Sequence, residues 1–104
     1  MGITGAIKIA HLGEAFGIDV EVHACGPAHR HVMSAMRNSN FYEVALVGPD
    51  CPNTMAPVYQ CGYSDMIDCI DDEGFVSVPK GLGLGVDYDW NFIKSHSKNI
   101  TVYE

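Results

Sequence analysis

Three histidines and a cysteine fall within nine residues, in the stretch HACGPAHRH at positions 23–31. Histidine changes charge near neutral pH and can act as a general acid or base, while imidazole and thiolate groups also bind zinc. The stretch therefore allows two chemistries: proton transfer at the rim of an active site, or a zinc site made by His23, Cys25, His29 and His31. The spacing H-x-C-x3-H-x-H is not that of a zinc motif, and a strand-to-helix turn would scatter the four side chains. Proton transfer is the favoured hypothesis.

The elements around this stretch determine where its side chains lie. The hydrophobic pattern predicts, in order, a helix over 5–16, a strand over 18–23, a helix that begins near Pro27 and a strand over 41–48. Thr4 is the expected N-cap of the first helix, and Gly17 is expected to end it. With connections this short, the strand–helix–strand part predicts a βαβ unit with parallel strands.

Active sites in parallel sheets collect at the carboxyl ends of the strands, and His23 ends the first predicted strand. Glu43 lies early in the second, within the otherwise apolar FYEVALVG, where a buried carboxylate needs a partner or a polar cavity. Both are candidate site residues. His29 and His31 point about 200 degrees apart on a helix, so we expect His29 to contact substrate and His31 to pack. Arg30 could neutralise a carboxylate, but we expect it to face solvent.

The chain changes character after Pro49. The expected elements are a loop, a hairpin with strands over 66–70 and 75–78 around a turn at 71–74, a short helix in DWNFIKSHS and a final strand in ITVYE. The glycines of GLGLG, at 81–85, are read as turn residues rather than a phosphate loop. The pattern divides the chain into a segment of alternating strands and helices over 1–48 and a loop, hairpin and tail over 49–104.

Composition narrows the class of function. The chain has 104 residues, a formal net charge of −7 and only six lysines and arginines, which excludes a basic nucleic-acid-binding face. No apolar run is long enough to span a membrane, and we find no signal peptide. The four cysteines show no paired spacing, so we expect free thiols in a reducing cytoplasm rather than two disulfides.

Three stretches together carry a family resemblance: GITGAIKIAHLGEAFGIDVEVH, PAHRHVMSAMRNSNFYE and the tail VPKGLGLGVDYDW. In this order and spacing they resemble the C-terminal part of the mandelate racemase and muconate lactonizing enzymes of the enolase superfamily. HACGPAHRH is most similar to acid-sugar dehydratases. The resemblance implies an α/β chain that is a C-terminal fragment of a (β/α)8 TIM barrel, from helix six to strand eight, plus a tail that packs on barrel and capping domain.

The resemblance also implies a reaction, the removal of a proton next to a carboxylate group. In this family Mg²⁺ holds the enediolate that forms, and its ligands lie on strands absent from this chain, so no bound metal is expected here. His23 matches the family's base or acid, and Glu43 matches the acid that hydrogen-bonds a substrate carboxylate. The substrate would be a sugar acid or another small carboxylate, and the reaction dehydration or racemisation.

A complete barrel takes roughly 250 residues, so the chain alone is expected to be inactive and to self-associate through uncovered apolar surface. Two other hypotheses stay open. One is a small stand-alone α/β module that self-associates without catalysis, and the other is a small zinc-binding protein.

Overall fold

The structure is a computed structural model that describes residues 2–45 and 58–103. Within these ranges the chain forms α1 over Ile3–Ala15, α2 over Pro27–Ser34, a 3-10 helix over Ile67–Cys69 and α3 over Trp90–His96. In this part of the chain, no helix has the length and hydropathy needed to cross a membrane.

The helices follow the sequence pattern closely. α1 begins at Ile3, one residue before the expected cap Thr4, and Gly2 occupies the cap position without a side-chain hydrogen bond. Gly17 has φ 67, and its N–H donates to the carbonyl of Glu14 at 3.0 Å, so this glycine ends the helix as predicted. α2 begins at Pro27, and α3 confirms the short helix expected in DWNFIKSHS.

The two predicted strands do not form in the described residues. Residues 18–23 and 41–45 carry no strand, and 46–48 lie outside the described ranges, so the expected parallel pairing is wrong for this part of the chain. The physical reason is that a side chain accepts the hydrogen bonds of backbone N–H groups that would otherwise pair the two strands. Glu21 accepts the backbone N–H groups of Asn40 at 2.9 Å and Phe41 at 3.2 Å. The two segments are therefore joined by side chain to backbone.

The region from residue 58 onwards contains short turns rather than strands. The predicted turn at 71–74 is confirmed, because Oδ1 of Asp71 accepts the N–H of Phe75 at 2.8 Å and one antiparallel bridge joins Ile70 to Val76. The predicted flanking strands do not form, because a 3-10 helix occupies Ile67–Cys69 and no strand continues after Val76. The final strand predicted in ITVYE is also wrong for residues 100–103, which form no strand. The GLGLG stretch forms a turn, as predicted.

The apolar core of the described residues is small. α1 packs against α2, and the buried hydrophobic side chains are Ala10 and Val32. The amide of Asn38 reinforces this contact by donating to the carbonyls of Ala10 at 3.1 Å and Ile18 at 2.8 Å. Arg30 and Asp65 are buried as well, so polar contacts connect α2 to the second half of the chain.

Candidate active site

His23 and Glu43, both predicted as site residues, lie side by side. Nδ1 of His23 is 2.8 Å from Oε2 of Glu43, and the imidazole is 91% exposed. A carboxylate at Nδ1 accepts a hydrogen bond from that nitrogen, which leaves the lone pair of a neutral imidazole on Nε2. The arrangement therefore presents a basic nitrogen to solvent, held in one tautomer by its neighbour.

A tight turn directly after His23 builds this pair. Ala24 has φ 72, a left-handed conformation that costs a residue with a Cβ about 1–3 kcal/mol. In this conformation the N–H of Ala24 donates to Oε2 of Glu43 at 2.5 Å. Gly26 follows with φ 139, and a Cβ there would lie 3.2 Å from Nδ1 of His29. The turn thus directs a backbone donor and an imidazole at the same carboxylate oxygen.

The charge state of Glu43 follows from these contacts. The hydrogen bond from the Ala24 N–H lowers the pKa of Glu43 below its ordinary value, desolvation opposes this, and the neighbouring His23 and His29 lower it further. Glu43 is therefore ionised at neutral pH and acts as a hydrogen-bond acceptor.

The other two histidines of HACGPAHRH face different surroundings, as their spacing predicted. His29 is partly buried and lines a cavity of about 160 Å³ with residues that include Ile3 and Val22. Nε2 of His31 lies 3.1 Å from the carbonyl oxygen of Leu84, so His31 packs α2 against the GLGLG turn. The substrate contact expected of His29 stays a prediction.

Arg30 was expected to face solvent, and this is wrong, because it is 7% exposed. Its Nη2 donates to Oδ1 of Asp65 at 2.7 Å and to the carbonyl of Ser64 at 2.5 Å, and its Nη1 donates to the carbonyl of Ser77 at 2.9 Å. The hydroxyl of Tyr63 also donates to Oδ1 of Asp65, at 2.9 Å. Together these hydrogen bonds compensate the buried charges of Arg30 and Asp65.

Tyr42 connects this buried cluster to the turn. Its hydroxyl accepts the N–H of Gly26 at 2.8 Å and donates to Oδ1 of Asp65 at 2.5 Å. The sequence pattern treated Tyr42 as one of a run of strand residues and Asp65 as part of a loop. The position of Tyr42 directly before Glu43 was the one signal that could have drawn attention to it.

The described residues do not fit a metal ion. Among them no group of three or more His, Cys, Asp or Glu side chains could hold one. Oε2 of Glu43 is already occupied by the Nδ1 of His23 and the N–H of Ala24. The zinc set weighed as an alternative for HACGPAHRH does not form in this part of the chain.

A comparison with known protein families assigns the chain to one of them. A family model described as enolase C-terminal domain-like matches residues 1–92, which confirms the resemblance to the C-terminal part of an enolase-superfamily protein. No curated protein and no solved structure matches the chain. The chain belongs to the enolase C-terminal domain-like family, which is of the α/β class.

Proposed function

We propose that this chain supplies the C-terminal part of a (β/α)8-barrel enzyme that removes a proton next to a carboxylate group. The substrate is a sugar acid or another small hydroxy acid, and the outcome is dehydration or racemisation. The observation that supports this most is the 2.8 Å contact between Nδ1 of His23 and Oε2 of Glu43. Family membership over residues 1–92 supports the reaction class.

In this proposal His23 is the base. Its Nε2 accepts the proton from the substrate carbon, and the electron pair of the broken C–H bond moves into the adjacent carboxylate. The Nδ1–H remains hydrogen-bonded to Glu43, whose negative charge stabilises the imidazolium that forms. His29, in the first turn of α2, contributes to binding the anionic substrate.

Glu43 serves His23 rather than the substrate in this arrangement. A hydrogen bond from Glu43 to a substrate carboxylate would require a protonated Glu43, whereas the Ala24 N–H holds its pKa below the ordinary value. Two ionised carboxylates would repel each other. The geometry therefore favours an orienting role for Glu43 over the substrate contact implied by the family resemblance.

The proposed reaction requires parts that the described residues do not provide. Mg²⁺ supplies electrostatic stabilisation of the developing charge in this enzyme class, and we place its ligands outside this chain. The imidazole of His23 is 91% exposed, so water is not excluded from the basic nitrogen. We therefore propose that the chain is inactive by itself. We also propose that the protein is located in the cytoplasm, where thiols such as those of Cys61 and Cys69 stay reduced.

The test is hydrogen–deuterium exchange at the α-carbon of a panel of sugar acids and hydroxy acids, followed by proton NMR with Mg²⁺ present. The chain alone is expected to give no exchange. DNA upstream of Met1 is expected to extend the open frame by roughly 250 codons, and the encoded protein is expected to exchange one of these acids.

In that longer protein, His23→Asn is expected to reduce exchange at least about 100-fold. The matched control is His11→Asn, because His11 is exposed on α1, away from the turn, and this variant should keep full activity. Exchange that survives both His23→Asn and Glu43→Gln would contradict the assignment of the site.

A self-associating module without catalysis is the second candidate, and one observation favours it. Large apolar side chains are exposed on the described residues, including Phe16 at 74%, Phe41 at 78% and Leu82 at 99%. A monomer rarely leaves this much apolar surface uncovered. Sedimentation velocity over a range of concentrations is expected to show oligomers, whereas a monodisperse monomer with intact helices would contradict self-association.

A further inference from the structure

One hydroxyl group links the turn after His23 to the segment that carries Glu43. The Oη of Tyr42 accepts the N–H of Gly26 at 2.8 Å, and Tyr42 is the residue directly before Glu43. Gly26 lies three residues after His23, so both members of the His23–Glu43 pair are close in sequence to this contact.

The pair needs such support, because its own contacts are weak. Ion pairs between exposed side chains contribute little to stability, and the left-handed backbone of Ala24 costs about as much or more. The contact between His23 and Glu43 is exposed on both sides. A strained turn persists only where surrounding contacts hold it in place, and the hydrogen bond to Gly26 is a more buried contact within the same turn.

The hydroxyl of Tyr42 is itself held in place by buried side chains. The hydroxyl of Tyr42 donates to Oδ1 of Asp65, whose side chain is fully buried. Asp65 is itself fixed by the guanidinium of Arg30, whose Cζ lies 5.2 Å from the centre of the Tyr42 ring. Burial raises the pKa of Tyr42, and the hydrogen bond to Asp65 raises it further, so the hydroxyl keeps its proton.

We propose that Tyr42 is a positioning residue for the His23–Glu43 site: its hydroxyl, anchored on Asp65, holds the turn at Gly26 against the segment of Glu43. This inference builds on the site described under the proposed function. Tyr42 touches neither the proton that moves nor the nitrogen that accepts it, and it acts through the placement of the Ala24 N–H and the imidazole.

The chain contains a matched pair of variants for the test. Tyr42→Phe removes a hydroxyl that bonds both Asp65 and Gly26, whereas Tyr63→Phe removes a hydroxyl that bonds the same Oδ1 of Asp65 at 2.9 Å and has no bond to the turn. Both variants weaken the buried cluster, and only the first is expected to release the turn.

Two measurements on the 104-residue chain report on the conformation of the turn. The first is the pKa of Glu43, from NMR titration with carboxyl-labelled glutamate; the groups that act on it are the Ala24 N–H, His23 and His29. Tyr42→Phe is expected to raise this pKa towards its ordinary value, because the Ala24 N–H moves away. The second is hydrogen exchange of the Gly26 amide, expected to become about tenfold faster after loss of one hydrogen bond.

Tyr63→Phe is expected to leave both readouts at the wild-type value. The proposal is overturned if Tyr42→Phe changes neither readout, or if the two variants change them equally. If Tyr42→Phe does not fold, the wild-type Gly26 amide decides: protection supports the proposal, and exchange at the rate of an unstructured peptide overturns it. No substrate is needed, so a longer encoded protein that exchanges none of the acids would contradict the proposed function and leave this inference standing.

Discussion

The buried Arg30–Asp65 pair gives the sharpest prediction about stability. Asp65→Asn keeps the shape of the side chain and, with the amide oxygen at the position of Oδ1, keeps the acceptor used by Arg30, Tyr42 and Tyr63. It removes the negative charge. It also places an NH2 group at Oδ2, a buried atom with no hydrogen-bond partner among the described residues.

The expected loss in free energy of unfolding follows from the groups that still surround Arg30 in this variant. The carbonyls of Ser64 and Ser77 still accept its hydrogen bonds, but they do not neutralise a guanidinium that is 7% exposed. Leaving one member of a buried ion pair uncompensated costs about 3–5 kcal/mol. A domain of this size is stable by about 5–15 kcal/mol, so the variant loses a large part of its free energy of unfolding.

The assay is urea denaturation followed by circular dichroism at 222 nm. With a urea dependence of about 1.5 kcal/mol/M, the loss corresponds to a midpoint lower by about 2–3 M. Asp68→Asn is the control, because Asp68 is exposed and accepts one hydrogen bond, from the hydroxyl of Ser64 at 2.5 Å. That substitution is expected to change the free energy of unfolding by less than about 1 kcal/mol.

Equal midpoints for the two variants would refute the reasoning, since the charge of Asp65 would then contribute no more than an exposed carboxylate. A double variant, Arg30→Met with Asp65→Asn, separates charge from packing. It removes both charges together and is expected to be more stable than Asp65→Asn alone.

Two further predictions concern pH and helix capping. The backbone N–H of Asn40 lowers the pKa of Glu21 most, and the N–H of Phe41 acts in the same direction. Ionised Glu21 therefore stabilises the fold at pH values above its pKa in the unfolded chain. This contribution is lost as the pH falls through its lower pKa in the folded chain. Glu21→Gln is therefore expected to reduce the dependence of thermal stability on pH in acid, and an unchanged dependence would contradict this. Asp89→Ala removes the side chain that accepts the N–H of Phe92 at 2.8 Å at the start of α3, and is expected to cost about 1 kcal/mol in thermal unfolding, while a neutral effect would mean that α3 does not depend on its cap.

The helices could be predicted from sequence because their signals are local. The apolar spacing of α1, Gly17 at its end and Pro27 at the start of α2 lie within the elements they determine. His23 and Glu43 were each predicted as site residues, but their places at the end of one predicted strand and early in the next did not predict a contact between them. The contact occurs in the structure although neither segment forms a paired strand.

The buried polar cluster could not be predicted in this way. Arg30 and Asp65 lie 35 residues apart, and nothing near Arg30 distinguishes it from a solvent-facing helix residue. The strands failed for a related reason. The hydrophobic pattern of both segments indicates β-structure, but the carboxylate of Glu21 accepts hydrogen bonds from the N–H groups of Asn40 and Phe41. A hydrophobic pattern does not reveal such competition from a side chain.

The small apolar core has a consequence for calorimetry. Unfolding raises the heat capacity in proportion to the apolar surface newly exposed to water, by about 1.2–1.5 kcal/mol/K for an ordinary domain of 100 residues. Here Ala10 and Val32 are the buried hydrophobic side chains of the described residues, while Phe16 and Leu82 already face solvent. The heat-capacity increment for unfolding of these residues should therefore fall well below that range, and their free energy of unfolding should follow a line of little curvature against temperature.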